Sequence, residues 1–359
     1  MSRHHGKHRV TILDVAALAG VSKSTAARVI SGNGSTSAEA SQRVTEAALK
    51  LGYHPNALAK AMVSGTSKTI GIVIPDIANP FFSTAVRGIS DSARAAGYEV
   101  IIANSDNDAE IESRSINLLL EKQVDGIIVA PVFQEKSASI VHAAESGTPI
   151  ILLDRRGGGA YAGPLVAINN VEASVSATNF LIDSGHKHIA IVSEAAESVE
   201  YLKDYDDDPT ALRPSSQRLL GYLRAMTAGG LATDEGHIVR TSFDKNTTAN
   251  RVSNFLRSDK DVSAIFSTDS VVSSGSFIAL SKAAALQAHD ISFLAFDDQE
   301  WTTMVSPTVS VVTQPRYQLG SIAATKLLER INLPARKVHD SLLGTELLIR
   351  ESTTRQISH

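Results

Sequence analysis

From residue 69 onward the hydrophobic pattern alternates between two periods. Short runs rich in Ile, Val and Leu, at 70–74, 98–103, 124–130 and 150–153, are separated by stretches with helical spacing at 81–96, 110–122 and 135–146. After a strand at 166–168 a second series starts near residue 169 and repeats the scheme: helix 171–184, strand 188–192, helix 216–228, strand 238–240, helix 247–257, strand 264–266, helix 271–285 and strand 291–296. Strands bounded by Gly, Pro and Asp that alternate with amphipathic helices predict a doubly wound parallel sheet, here twice over. Two such halves leave a cleft beyond the carboxyl ends of their strands, where ligands of open α/β sheets bind.

The first 54 residues follow another pattern. Thr11-Ile12-Leu13-Asp14 has capping-box spacing ahead of an apolar helical run, Gly20 supplies a stop, and Val21 plugs the turn. Ser22 then caps a second helix through Ala26, Ala27, Val29 and Ile30, and Ser37 caps a third over 37–51 that Gly52 ends. Two helices joined by so tight a turn predict a small all-α helix-turn-helix head, whose second helix enters the DNA major groove. Lys23, Ser24 and Arg28 are the base-edge candidates, and Ser22 and Thr25 suit phosphate oxygens.

Charge supports this division. The net charge of −4 over 359 residues conceals a basic head: residues 1–69 hold nine Lys and Arg against three acids, +6, which leaves −10 for the rest. A basic head joined to an acidic body fits a polyanion-binding module attached to a part kept off the polyanion. The length suggests two or three domains. Cysteine is absent, which excludes disulfides, thiolate metal sites and thiol nucleophiles. The basic start MSRHHGKHRV lacks a signal peptide's apolar stretch, and no segment is apolar enough to span a bilayer, so a soluble, cytoplasmic chain with no membrane association is expected.

The run TILDVAALAGVSKSTAARVISG, the stretch YHPNALAKAM and the body behind them resemble the lactose-repressor (LacI/GalR) family of bacterial transcription regulators, over about residues 10–353. The resemblance implies a repressor that binds a palindromic operator as a homodimer and is switched by a small polar effector in the cleft. It implies a hinge helix over 55–64, with Met62 where the family usually has a Leu that wedges into a minor-groove step. Asn56, Ala59 and Met62 in that hinge, with Thr11 and Ser37 at helix starts, complete the candidate DNA contacts. Ala26-Ala27 stands where a Val-Ser pair is common, which removes a hydroxyl from the DNA face.

By the same resemblance Phe81, Phe82, Asp154, Arg218, Phe243, Asp297 and Gln314 fall on effector-contacting positions. The strand ends themselves add Asp76 and Asn79, the latter a cap for a helix opening at Pro80, and Thr268 and Asp269, where the family's Ala-Asn-Asp reads Ser267-Thr268-Asp269. Taken singly, Asp154 and Asp297 would more often cap a following helix. Paired Asp and Arg between aromatic walls suit a polyhydroxylated ligand: a sugar, a polyol such as an inositol, a nucleoside or a phosphorylated metabolite.

The expected division is a head at 1–54, a hinge and linker at 55–68, a body at 69–353 and a tail at 354–359. Within the body, 69–168 with 309–330 form one subdomain and 169–308 with 331–353 the other. The acidic run Asp204-Tyr205-Asp206-Asp207-Asp208 is a solvated excursion at the cleft mouth, with a cation site or lid as the sharper alternative. Arg155-Arg156-Gly157-Gly158-Gly159 lacks the register of a nucleotide-binding loop and is expected to be a flexible loop. Neither a catalytic set, a cofactor motif nor a metal-ligand spacing is present, so no enzymatic activity is expected. A periplasmic-type sugar-binding protein without a transcriptional role shares the body's pattern and is the alternative.

Overall fold

The structure, a computed structural model, describes residues 10–31, 36–53, 66–132, 138–157, 161–286 and 290–353. The chain divides into two compact units, Met1–Lys68 and Thr69–His359.

In the first unit, helices α1 (Ile12–Ala19), α2 (Lys23–Ser31) and α3 (Ala38–Leu51) pack around Val15, Ala16, Ala19, Ala26, Val44 and Ala47. The small side chains at these positions let three short helices approach closely enough to exclude water. The α1–α2 turn depends on Gly20, which adopts φ +64, a left-handed conformation that costs glycine nothing, while Val21 N–H closes on the Ala16 carbonyl. At the start of α1 the Asp14 carboxylate accepts both the backbone N–H and the hydroxyl of Thr11. Ser22 and Ser37 cap α2 and α3 by accepting from Thr25 N and Ala40 N.

The second unit holds two six-stranded sheets. The first half consists of β1 (Thr69–Ile74), α4 (Pro80–Ala95), β2 (Glu99–Asn104), α5 (Ala109–Glu121), β3 (Gly126–Val129), α6 (Ala138–Glu145), β4 (Ile150–Leu153) and β5 (Leu165–Ile168). The chain continues through α7 (Asn170–Asp183), β6 (Ile189–Ser193), α8 (Val199–Lys203), α9 (Pro214–Ala228), β7 (Ile238–Arg240), α10 (Lys245–Ser258), β8 (Ala264–Ser267), α11 (Ser270–Lys282), β9 (Ser292–Phe296) and α12 (Trp301–Met304). It ends with β10 (Ser310–Thr313), α13 (Arg316–Asn332), β11 (Ser341–Leu343) and β12 (Glu346–Leu348). The strand orders are β11-β5-β4-β3-β1-β2 and β12-β10-β9-β8-β6-β7. Every pairing is parallel except β10 with β12. Helices cover both faces, so inner strands such as β3 and β4 are buried throughout and read as unbroken aliphatic runs. No described helix is long and apolar enough to cross a membrane.

The C-terminal segment departs from the expected division. Residues 310–313 pair with β9 in the second sheet and do not cross to the first; only α13 does so, packing on α4. Within 331–353, β11 joins the first sheet beside β5 and β12 joins the second beside β10. Local hydrophobicity marks 310–313 as a strand but carries no information on which sheet it joins.

The chain therefore passes between the halves three times, at Asn169, between β10 and α13, and at Gly344-Thr345. The first and third passages touch, Asn169 N–H donating to the Leu343 carbonyl at 3.1 Å. The contact of α4 with α13 is closed by two glycines: a Cβ on Gly88 would collide with the Tyr317 carbonyl oxygen and one on Gly320 with that of Ala85. Ser92 and Ser321 hydroxyls bond across the same seam at 2.8 Å.

Candidate functional site

Two surfaces carry the candidate chemistry, one in each unit. On the head, Lys23, Ser24, Ala27 and Arg28 lie exposed on α2 while Ala26 is buried in the core. Ser22 and Thr25 are occupied locally, the Ser22 hydroxyl lying 2.8 Å from that of Ser24 and 2.9 Å from that of Thr25. Thr11 and Ser37 are exposed at helix starts. Asn56, Ala59 and Met62 lie outside the described residues.

In the body, a cavity of about 310 Å³ opens between the two halves. The first half lines it with Pro75, Asp76, Asn79, Phe81, Phe82, Asn107, Val132, Asp154 and Arg155; the second with Glu194, Arg213, Pro214, Ser215, Arg218, Phe243, Asp269, Asp297 and Gln314. Strand ends supply much of this wall, as the topology of open sheets demands. Asn79 caps α4 by accepting from Phe81 N at 2.9 Å, with Pro80 at the first helical position, and this aims Phe81 and Phe82 inward as an edge-to-face pair 5.0 Å apart. The two halves repeat one device. Asp154 after β4 and Asp297 after β9 adopt φ +69 and +71, and each N–H donates to the neighbouring strand, at Val166 O and Val312 O. A left-handed aspartate turns the chain at the strand end and leaves its carboxylate at the cavity. Neither caps a helix, in contrast to the reading of each residue taken singly.

Arg218 is the hub. It is 5% exposed, donates Nε to Asn170 Oδ1 at 2.7 Å and Nη1 to the Thr268 carbonyl, and lies 3.8 Å above the Phe296 ring. Thr268 itself is fully buried and does not line the cavity: its hydroxyl donates to the Val192 carbonyl, so it holds the arginine through its backbone. Gln314 donates Nε2 to Asp297 Oδ1 at 2.7 Å.

The carboxylates crowd one another. Burial pushes Asp154 and Asp297 up from the usual carboxylate range, with Arg218 opposing the rise in both. Asp269, which caps α11 through Val271 N, is pushed up to about 7 by burial and by the charges of Asp297 and Glu194. A carboxyl raised on folding favours the folded state most below its ordinary value near 4, and that contribution is lost as pH rises through about 7. Asp269→Asn keeps the cap, because Asn caps as well as Asp. It is therefore expected to raise the unfolding free energy of the ligand-free protein by on the order of 2 kcal/mol at about pH 8, and by little at about pH 4. Denaturant unfolding at the two pH values measures this, and equal gains at both would remove carboxyl titration as the cause.

Arg155, Glu194 and Arg213 also reach the cavity, although the sequence alone did not single them out as ligands. Glu194 directly follows β6 and carries the same strand-end signal as Asp154 and Asp297. Arg155 and Arg156 correct the expectation of a merely flexible loop there. Arg155 donates to Pro131 O and Asn107 Oδ1, and Arg156 binds Asp340, the Gly163 carbonyl and, from the second half, the Thr210 hydroxyl. Thr210 in turn is held by Asp208, so the acidic run ends in a hydrogen-bonded tether between the two halves. Among the described residues no cluster of three or more metal-ligating side chains occurs.

A helix-turn-helix unit joined in one chain to a two-lobed α/β body that encloses a polar cavity defines a ligand-responsive transcription regulator. Residues 11–56 match the model of bacterial regulatory proteins of the lacI family, and residues 67–351 that of periplasmic binding proteins and the sugar binding domain of the LacI family. The chain belongs to the LacI family, as a DNA-binding transcriptional repressor with an effector-binding body. It is 33% identical to catabolite control protein A of Priestia megaterium over 327 residues, 90% of this chain and 93% of that one. It is 29% identical to the ribose operon repressor of Escherichia coli (strain K12), over 90% and 94% of the two chains. The solved complex of the transcriptional regulator CelR with cellobiose superposes with a TM-score of 0.69 at 25% identity, over 96% of this chain and 100% of that one. The lac repressor dimer bound to operator and an anti-inducer shares the fold with a TM-score of 0.81 at 22% identity, over 97% and 100%.

Proposed function

We propose that the protein acts in the cytoplasm as a homodimeric repressor of a near-palindromic operator, relieved or engaged by a polyhydroxylated effector bound between the two halves of its body. The division of labour is that expected from the sequence: residues 1–54 read DNA, 55–68 serve as hinge and linker, the hinge helix expected over 55–64 lying outside the described residues, and 69–353 bind effector and dimerise. It works by binding alone, without cofactor or catalysis. The observation that carries the effector reading is the cavity itself, walled by both halves, with an aromatic pair on one side and the Arg218 hub on the other. Its volume of about 310 Å³ sits at the small end of ligand pockets and suits a sugar of one or two rings. Cellobiose in the CelR complex is a ligand of that size class.

Dimerisation is favoured by β2, the edge strand of the first sheet. Ile101 and Ile102 on it are 37% and 43% exposed, and Leu118 on the adjoining α5 is 51% exposed. An open aliphatic edge of this kind invites a second copy. An effector that closes the two halves must bind the operator-bound and free states unequally, and operator then alters effector affinity by the same factor. A sugar-binding protein without transcriptional role leaves the exposed Lys23–Arg28 face of α2 unexplained.

The test is retardation of DNA from upstream of the protein's own gene and its neighbours. Wild type should retard one near-palindrome selectively at moderate salt, and Lys23→Ala should lose about 1–3 kcal/mol of discrimination against altered bases. Retardation of every fragment alike would defeat the proposal.

A further inference from the structure

Hydrogen-bonding capacity around the cavity is unequally spent. Arg155 commits Nε and Nη2 to Pro131 O and Asn107 Oδ1, at 2.6 and 2.9 Å, and Arg218 commits Nε and Nη1 to Asn170 and Thr268. The acceptors are left over. Asp154, only 9% exposed, accepts no hydrogen bond on its carboxylate from any described residue, and neither does Glu194, which opens onto the cavity from the other half. Gln314 gives its amide to Asp297 and keeps an unpartnered Oε1. The walls thus need donors. A ligand hydroxyl or ammonium supplies them, whereas a phosphate or carboxylate only accepts: it could take N–H groups that Arg155 and Arg218 still have, but it would leave the buried acceptors of Asp154 and Gln314 without donors.

The guanidiniums that would draw an anion, Arg155, Arg213 and Arg218, all have Glu194 as a charged neighbour. We propose that the effector, on the polyol reading above, is a donor-rich sugar or amino sugar with no anionic group, and that Glu194 is the residue that turns phosphorylated and acidic sugars away. It follows that, of the ligand classes compatible with the sequence, phosphorylated metabolites are excluded.

The experiment is titration calorimetry on the full chain with three matched series: ribose, glucose and galactose, each as the parent sugar, the amino sugar and the terminal phosphate. In the series that binds, the amino sugar should bind at least as tightly as the parent and the phosphate at least about 100-fold more weakly, with Glu194→Gln narrowing that gap by about tenfold. A phosphate that binds wild type as well as its parent overturns the charge selection while leaving the polyol reading intact. An unchanged gap in Glu194→Gln overturns the role of Glu194. Silence from all three series overturns the polyol reading and the selection with it.

Discussion

Arg218→Met is expected to leave a repressor that binds its operator and no longer responds to effector, with effector affinity down at least about 100-fold. The guanidinium is buried, holds Asn170 and the Thr268 carbonyl, and opposes the crowding of Asp154, Asp269 and Asp297. Met fills most of the volume but none of the charge, so the two acceptors lose their donors and the carboxyls are driven further toward the protonated form. Removing one member of a buried charged set costs about 3–5 kcal/mol, and the body should melt correspondingly earlier. Arg218→Lys should recover little, because one ammonium cannot bridge both acceptors in the fixed geometry of the fork. Calorimetry with the effector and operator binding with and without it separate the two functions. An Arg218→Met protein that answers effector as wild type does would dismantle the site as described.

The largest effect on folding is expected at Gly320. Its absent side chain admits the Ala85 carbonyl, and Gly88 returns the contact against Tyr317. Gly320→Val must push α13 off α4, opening a seam lined by Ala85, Ala323 and Ala324, all fully buried. Overpacking against backbone cannot be relieved by a rotamer change, so a loss of about 3–5 kcal/mol is expected in urea unfolding. A loss below about 1 kcal/mol would mean that the two helices do not pack as closely as described.

Much of the architecture was readable because doubly wound sheets write themselves locally. Inner strands buried on both faces, such as β1, β3 and β4, leave aliphatic runs, and their intervening helices keep a periodic stripe. The three-residue strands β11 and β12, partly buried at the sheet edges, leave no such trace. Sheet membership of β10 escaped for a different reason: it pairs with β9, the strand just before it, and the chain crosses to the other half only afterwards, a point no local pattern marks. At the site, position after a strand proved a better guide than residue type. It picks out Asp154, Glu194 and Asp297 alike, yet cannot tell that the Thr268 side chain turns away toward Val192. Arg155 was obscured by the glycines beside it, which signal a loop and say nothing of what its first residues grip.

The three passages between the halves have a mechanical consequence. One strand would let the halves swivel freely, but three, the first and third of them bonded to each other at Asn169 and Leu343, restrict rotation about any one of them. On the function proposed above, whatever fills the cavity acts by setting the angle between the halves. Effectors of different size would then differ in how firmly they set it.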